Sequence, residues 1–174
     1  PTNGYMLTAQ RGDTGGLTWA AASGGKVVQS VWASSSAVAT GSTAMPADDT
    51  IPQKTEGTEF ETVAITPTAS GSRLIITCNF YWSVNAGPIN VGFALFQDST
   101  ANALAAQMNT PIGSTWPSNH VLVHEMAAGT TSSTTFKFRI GDTSGNTVTV
   151  NGHGGGRQYG GVATSSMHIL EIST

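Results

Sequence analysis

The stretch from Ser72 to Val84 constrains the fold of this chain more than any other part of the sequence. Large apolar side chains alternate there with polar ones, and Ile75 is the one apolar residue on the polar side. A period of two over more than ten residues, rich in aromatic and β-branched types, is typical of a long β-strand with one face on a core. A helix would scatter the same side chains around its whole circumference. The alternation therefore predicts a central strand that buries Leu74, Ile76, Cys78, Phe80, Trp82 and Val84.

Further strand-like segments follow at short spacing along the rest of the chain. Turn signals separate them every 8–12 residues or so, and no segment has convincing helical periodicity. Residues 101–108 fit a strand and a helical turn equally well. The pattern of roughly eight or nine strands predicts an all-β fold, an antiparallel β-sandwich of the jelly-roll type, over residues 26–174. Residues 1–25 have too few large side chains for a core, so we expect an extended N-terminal neck there.

The charge content of the chain indicates an oligomer. Only 10% of its 174 residues are charged, against about 25% in a typical soluble domain. So thin a charged coat predicts that subunits cover much of one another. The net charge of −3 argues against a nucleic-acid partner, which requires a basic face, and no apolar run is long enough for a membrane span. The single cysteine, Cys78, excludes an intramolecular disulfide and is expected to be a buried, inert thiol.

Several runs of the sequence resemble a known family. They are residues 25–34 (GKVVQSVWAS), residues 65–76 (ITPTASGSRLII), and the ending with RQYGG at 157–161 and MHILEI at 167–172. These runs resemble the C-terminal domain of bacteriophage tail-fibre and related virion proteins, and residues 3–20 are similar to the fibre repeats that precede it. The resemblance implies a homotrimeric, tumour-necrosis-factor-like jelly roll at the distal end of a virion fibre. Its implied partners are the upstream shaft of the same, longer chain and a host cell-surface glycan or protein.

Two motifs invite a metal or phosphate interpretation that their context does not favour. His120 and His124 flank an apolar run typical of a strand, which separates them by about 13 Å, too far for one ion to bridge. A metal would require copies of one histidine around a three-fold axis, and we predict no metal site. The glycine-rich segment 152–161 lacks the lysine and the following helix of a phosphate loop. It fits a tight turn near a three-fold axis, where His153, Arg157 and Tyr159 could contact a ligand.

No group of residues predicts catalysis. Acidic residues surround Lys54, but they lie in a polar stretch without an aromatic platform and do not form the carboxylate pair of a glycosidase. Serine, histidine and aspartate occur without a nucleophile-elbow pattern. We therefore expect neither enzymatic activity nor a cofactor. The acidic residues are Asp48, Asp49, Glu56, Glu59 and Glu61.

The candidate receptor-binding residues lie in loops, because the strands of a jelly roll are committed to packing. Trp116 stands in a polar loop without apolar periodicity, so its ring is a candidate platform for a sugar. The alternative is that Trp116 packs under its own loop. The other candidates are Asn109, Asn119, His120, His153, Arg157 and Tyr159.

Three functions remain open at this level. The first is a fibre tip that recognises a host receptor, and the second is a structural cap on a capsid, collar or head fibre. The third is a glycan depolymerase. One further expectation concerns Glu171, which lies among apolar residues of the last strand. Because an unpaired buried carboxylate is costly, we expect it to pair with Arg157 or Arg139.

Overall fold

The computed structural model describes residues 5–9, 17–21, 25–111 and 116–174. Fourteen strands and one short 3₁₀ turn lie within these ranges, so the described part of the chain is almost entirely β-structure. The elements are β1 (Tyr5–Ala9), β2 (Leu17–Ala21), β3 (Val27–Ser35), β4 (Ala39–Gly41), β5 (Thr58–Ile65), β6 (Arg73–Val84), β7 (Val91–Gln97), β8 (Ala105–Asn109), β9 (Ser118–Ala127), β10 (Thr134–Asp142), β11 (Val148–Val150), β12 (Gly152–His153), β13 (Gly156–Arg157), the 3₁₀ turn (Tyr159–Gly161) and β14 (Ser165–Ile172).

Ten of these strands form two packed antiparallel sheets. The small sheet has the order β5-β10-β7-β8, and the large sheet contains β3-β14-β6-β9 together with the short β11 and β4. Side chains from the inner faces of both sheets form one apolar core. This strand order confirms the predicted all-β antiparallel sandwich, a tumour-necrosis-factor-like jelly roll.

The predicted central strand is confirmed as β6, the longest strand of the structure. All six side chains that the alternation selected are buried, with 0 or 1% of their surface exposed. Strand β6 pairs with β14 on one edge and with β9 on the other, so it is central to the large sheet. The ambiguous segment 101–108 contains a strand, β8, and not a helical turn.

The predicted neck is described only in part. Strands β1 and β2 pair with each other, and within the described residues neither pairs with another strand. The division into a neck of residues 1–25 and a head of residues 26–174 therefore stays a prediction. No helix among the described residues is long and apolar enough to cross a membrane.

The segment of residues 42–57 covers the outer face of the small sheet. Met45, Ala94 and Phe96 form a second buried apolar cluster there, separate from the main core. The amide of Met45 donates to the carbonyl of Asp142 at 2.8 Å, which ties the segment to β10. Gly92 leaves room for the Met45 side chain, because a Cβ at Gly92 would lie 2.5 Å from the Met45 sulfur.

The outer face of the large sheet has no such cover among the described residues. Trp32 is 71% exposed, Val121 is 51% exposed and Val123 is 56% exposed. Arg73 and Glu125 form an ion pair at one end of this face, with 3.1 Å between Arg73 Nη1 and Glu125 Oε1. We call this surface the uncovered face. Its members on the four strands are Val28, Ser30, Trp32, Ser34, Arg73, Ile75, Thr77, Asn79, Tyr81, Asn119, Val121, Val123, Glu125, Ala127, Ser166, His168, Leu170 and Ile172.

Candidate functional site

One end of the uncovered face brings together several side chains that the sequence analysis selected. Asn119 lies directly opposite Tyr81 in the ladder between β9 and β6. The ring of Tyr159 packs edge-on against the ring of Tyr81, with centroids 6.4 Å apart. Arg157 lies two residues before Tyr159, and Trp116 lies three residues before Asn119. We call these five residues the end cluster.

The glycine-rich loop is fixed to the end of β6 by hydrogen bonds. The amide of Asn151 donates to the carbonyl of Tyr81 at 2.9 Å, and the Ser83 hydroxyl donates to the carbonyl of Gly152 at 3.3 Å. Strands β12 and β13 then form a two-residue hairpin. These contacts hold the loop at the end of β6. They place Arg157 and Tyr159 in the end cluster without any contact from the Arg157 or Tyr159 side chains.

Backbone geometry displays the Tyr159 ring to solvent. Tyr159 has φ of 45°, in the left-handed region, and Gly160 and Gly161 follow with φ of 67° and 92°. Tyr159 as a whole is 72% exposed. The side chain of Arg157 lies over Gly161, because a Cβ there would be only 3.0 Å from Arg157 Cδ. A non-glycine residue with positive φ is uncommon and points to a locally over-determined, often functional, turn.

Trp116 presents most of its ring at the surface, where 69% of the residue is exposed. This exposure does not fit the alternative that the ring packs under its own loop as a small satellite core. Tyr81 contributes a partly buried phenol to the end cluster, next to the ring of Tyr159. Burial raises the pKa of Tyr81, and repulsion from the neighbouring Tyr159 phenolate adds to this effect. The Tyr81 phenol is therefore a neutral hydrogen-bonding group at pH 7.

Two of the predicted receptor-binding residues lie away from the end cluster. The ring of His120 turns into the sandwich and stacks on Phe93, with centroids 3.8 Å apart and planes 12° apart. Burial lowers the pKa of His120, so this side chain is a packed neutral ring. Asn109 ends β8 in the small sheet, opposite Val91. His153, in contrast, is half-buried in the hairpin beside the cluster.

The histidines of β9 do not form a metal site. His120 and His124 both point inward from the strand, and burial lowers the pKa of each. Within the described residues no group of three or more histidine, cysteine or acidic side chains is arranged to hold an ion. Cys78 is fully buried in the core, and desolvation raises the pKa of its thiol to about 12. The thiol is therefore inert, as expected.

The prediction that Glu171 pairs with Arg157 or Arg139 is wrong. Glu171 is fully buried, but its Oε1 accepts hydrogen bonds from the Thr68 amide at 2.8 Å and the Thr68 hydroxyl at 2.7 Å. Gln29, with its amide nitrogen turned inward, donates to Oε2 at 3.1 Å. Burial pushes the pKa of Glu171 upward, but hydrogen bonds from Thr68, Ser72 and Ala69 outweigh it and hold the pKa below its usual value. Neutral hydrogen-bond donors therefore stabilise the Glu171 carboxylate in place of the predicted arginine.

The acidic residues around Lys54 do not converge on one site. Asp48 accepts hydrogen bonds from the Thr50 amide and hydroxyl, which lower its pKa. Glu59 pairs with Arg139, with 3.1 Å between its Oε2 and the Arg139 Nη1, on the other edge of the small sheet. Lys54 donates to the carbonyl of Ser99 at 2.9 Å.

Sequence reasoning missed Tyr81 as a member of the end cluster. Its signal was present, because Tyr81 lies on the polar side of the β6 alternation, two residues beyond Asn79. An aromatic residue on the solvent side of a strand has no core to fill. That position alone was a reason to list it with Trp116 and Tyr159.

Solved structures with similar folds are only distantly related to this chain. A tumour necrosis factor, Eiger from S. frugiperda, is 12% identical over 83% of this chain and 93% of that chain, with a TM-score of 0.47. The C-terminal domain of EclA, a sugar-binding protein, is 14% identical over 66% of this chain and 74% of that chain, with a TM-score of 0.40. The CBM36-1 domain of a multidomain xylanase, from the hindgut metagenome of Trinervitermes trinervoides, is 11% identical over 81% of this chain and 96% of that chain, with a TM-score of 0.39. None of these likenesses assigns a function.

A family model identifies the chain more directly. No curated protein matches the sequence. The model of the Pgp3 C-terminal domain, however, matches residues 18–174, which include both sheets of the sandwich and the end cluster. The chain therefore belongs to the Pgp3 C-terminal domain family.

Proposed function

We propose that this chain is the homotrimeric, non-enzymatic head of a virion fibre, and that it binds a host cell-surface glycan through the end cluster. The observation that carries the proposal is the uncovered face. Its middle rows present exposed Trp32, Val121 and Val123 without a described cover. His168, Thr77 and Asn79 lie between Trp32 and the two valines, so the face mixes exposed apolar and polar side chains. Large apolar side chains left exposed on a whole sheet face favour an interaction site on a soluble protein.

Trimerisation is the simplest use of the uncovered face. Domains with a tumour-necrosis-factor-like jelly roll typically form homotrimers, and the face is almost uncharged between the Arg73–Glu125 pair and the end cluster. In a three-fold assembly, apolar residues of each copy would be covered by its neighbours, which also accounts for the low charge content. The end cluster lies at the end of this face, so three clusters would be presented together at one end of the assembly.

Glycan recognition is supported by the chemistry of the end cluster. Exposed tryptophan and tyrosine rings offer apolar faces for the C–H surface of a sugar. Asn119 adds an amide and Arg157 adds a guanidinium, both suited to hydroxyl or carboxylate groups. A position at the distal end of a bacteriophage or related fibre would bring these groups to a cell surface, in line with the sequence resemblance.

The proposal is tested in two stages on the whole 174-residue chain. Light scattering at micromolar concentration should give three times the chain mass, and a monomer mass would contradict the trimer. A glycan microarray then serves as the ligand probe. We expect binding that Trp116→Ala and Tyr159→Ala each weaken strongly without changing the melting temperature. Val162→Ala is the matched control, because Val162 is 76% exposed on the same loop but has no ring.

The alternative of a purely structural cap predicts a different result. A stable trimer that binds no glycan on the array would contradict recognition and favour the cap. Equal loss of binding and melting temperature in the Trp116 variant would show that the ring only stabilises its loop. Release of reducing sugar from a bound polysaccharide would contradict the non-enzymatic assignment.

A further inference from the structure

A groove follows the free edge of the small sheet, on the opposite side of the molecule's sandwich from the uncovered face. It lies between the segment of residues 45–52 and strand β8. Two adjoining hollows of about 350 and 400 Å³ compose it, and they share Asp48, Thr50, Pro52 and Ala106 in their walls. The two hollows are therefore neighbours, and none of their lining residues belongs to the end cluster.

Backbone pairing closes the groove at one end. At the other end no described strand pairs with β8, and the groove is open. The carbonyl of Pro52 accepts from the amide of Ala103 at 2.9 Å, and the amide of Lys54 donates to the carbonyl of Ala101 at 2.8 Å. Gln53 and Asn102 form an isolated antiparallel bridge between these bonds. Residues 52–54 thus occupy the next strand position beside residues 101–103. Beyond Pro52 the segment diverges, and the position beside β8 is empty of any described strand.

Within the described residues, which leave out 112–115 after β8, no strand pairs with the second edge of β8. It pairs with β7 on one side and is the last strand in the order β5-β10-β7-β8. Its five residues span about 16 Å of extended chain. Unpaired amides and carbonyls on such an edge are a template for another strand. The segment of residues 45–52 forms one wall of the cleft beside this edge, and strand β8 forms the other.

The walls of the groove mix apolar and polar groups and contain no aromatic ring. Met108 is 56% exposed in the first hollow and Ile51 is 55% exposed in the second, whereas Met45, which also lines the first hollow, is only 3% exposed. None of the described residues lining either hollow is aromatic, so the groove has no platform for a sugar ring. Methionine and proline walls beside an open strand edge suit an extended peptide, because flexible thioethers adapt to different side chains.

The rim of the groove is acidic. Asp48 and Asp49 are both exposed there, and no described lining residue is lysine or arginine. The Thr50 amide donates to Asp48 at 2.9 Å and fixes that carboxylate at the rim. The rim therefore complements a cation on the ligand.

We propose that this groove binds an extended peptide segment of a partner protein, which adds to β8 as a fifth strand and places a lysine or arginine beside Asp48 and Asp49. The backbone of the segment pairs with the open edge, and its alternate side chains contact Met45, Pro46 and Met108. This site is independent of the proposed glycan site, and either proposal stands if the other fails.

The first test uses synthetic nine-residue peptides of alternating threonine and valine with one central charged residue. Binding to the whole chain is followed by fluorescence anisotropy. We expect saturable binding of the lysine peptide and none of the glutamate peptide. Backbone N-methylation gives a sharper test, because successive amides of a strand point to opposite edges. Methylation of alternate residues in one parity should abolish binding, whereas methylation in the other parity should leave it intact.

Variants of the rim test the charge. Asp49→Asn should weaken the lysine peptide about two- to five-fold, the effect of one exposed ion pair. Glu61→Gln is the matched control, because it removes one carboxylate from β5 on the opposite edge of the same sheet. Ala106→Arg should abolish binding by filling the groove and repelling the cation, with the fold checked by an unchanged melting temperature.

Three outcomes would overturn the proposal. Equal loss of binding in both methylation parities would exclude pairing with an edge. Binding of an array glycan that Ala106→Arg abolishes would assign the groove to a sugar. Protection of a cysteine introduced at Ala106 from maleimide in the oligomer, with release on dissociation, would show that a second copy of the chain fills the groove.

Discussion

The two sheets of the sandwich differ in how their outer faces are covered. On the small sheet, Ala94 and Phe96 face outward, but only 0 and 1% of their surfaces are exposed because Met45 and its segment lie over them. On the large sheet, Trp32 and Val123 also face outward and remain 71 and 56% exposed. The chain supplies its own cover for one face. The difference teaches that the second face lacks a cover among the described residues, and the proposed trimer would provide one.

The largest expected effect comes from a charge placed on the uncovered face. Val123→Asp should convert the trimer to a monomer, because a buried carboxylate without a partner costs several kcal/mol at each of three interfaces. Light scattering measures the mass. The matched control is Ile51→Asp, since Ile51 is 55% exposed beside the small sheet. If both variants stay trimeric, the uncovered face is not the interface and the comparison fails.

The second-largest effect, a loss of stability, is expected at the outer face of the small sheet, which the segment of residues 42–57 covers. Met45→Ala should lower the free energy of unfolding by about 2–5 kcal/mol, because it removes a buried side chain and leaves a cavity over Phe96. Chemical denaturation measures this loss. Light scattering should give an unchanged mass, since no contact of the uncovered face is altered. A loss below 0.5 kcal/mol or so would mean that the segment is not a structural cover.

An intermediate effect is expected between the two sheets, at Glu171. Glu171→Gln should destabilise the fold at pH 7 by about 1–3 kcal/mol, because hydrogen bonds to a buried charge become bonds to a neutral amide. The folded-state pKa of Glu171 lies below its ordinary value of 4.5, so its contribution is present above that pH. It is lost as the pH falls through the folded-state pKa.

Thermal melts of both proteins between pH 3 and pH 7 check this dependence. The difference between wild type and variant should shrink as the pH falls below about 4. A difference that stays constant over the whole range would indicate a packing effect and not a charged hydrogen-bond acceptor. Neither result should alter the mass, which separates this site from the uncovered face.

The smallest effect concerns the ion pair at the end of the uncovered face. Glu125→Gln should cost about 0.2–1 kcal/mol if the Arg73–Glu125 pair remains in solvent, as its half-exposed side chains suggest. Added salt should reduce the difference further. A larger loss that resists salt would show that neighbouring copies bury the pair, and it would extend the interface to this end of the face.

Much of the fold was predictable because the principal strands carry strong side-chain alternation. Strand β6 is the clearest case, since every apolar residue of one parity is buried. Strand β8 was ambiguous because alanines give no clear periodicity. Strand β4 has three residues and pairs with the distant β11, and β12 has two residues and pairs with β13 in a hairpin. Both are too short to leave a periodic signal in the sequence.

The candidate site was predictable only in part. In β9 both parities mix apolar and polar residues, so the sequence could not tell that Val121 faces out while His120 faces in. Arg157 and Tyr159 were found because a glycine-rich loop presents its few large residues. The partner of Glu171 was missed because the donors are the amide and hydroxyl of Thr68 in a turn, whose geometry is not visible in the residue types.

Because Cys78 is buried, we expect the folded chain not to react with thiol reagents. It is the one cysteine of the sequence, and with a pKa of about 12 almost no thiolate is present at neutral pH. A cysteine introduced at any exposed position is therefore the single site that a maleimide or a nitroxide label can modify without prior removal of the native thiol. Distances between copies can thus be measured in an otherwise unaltered protein, by placing one probe on each subunit.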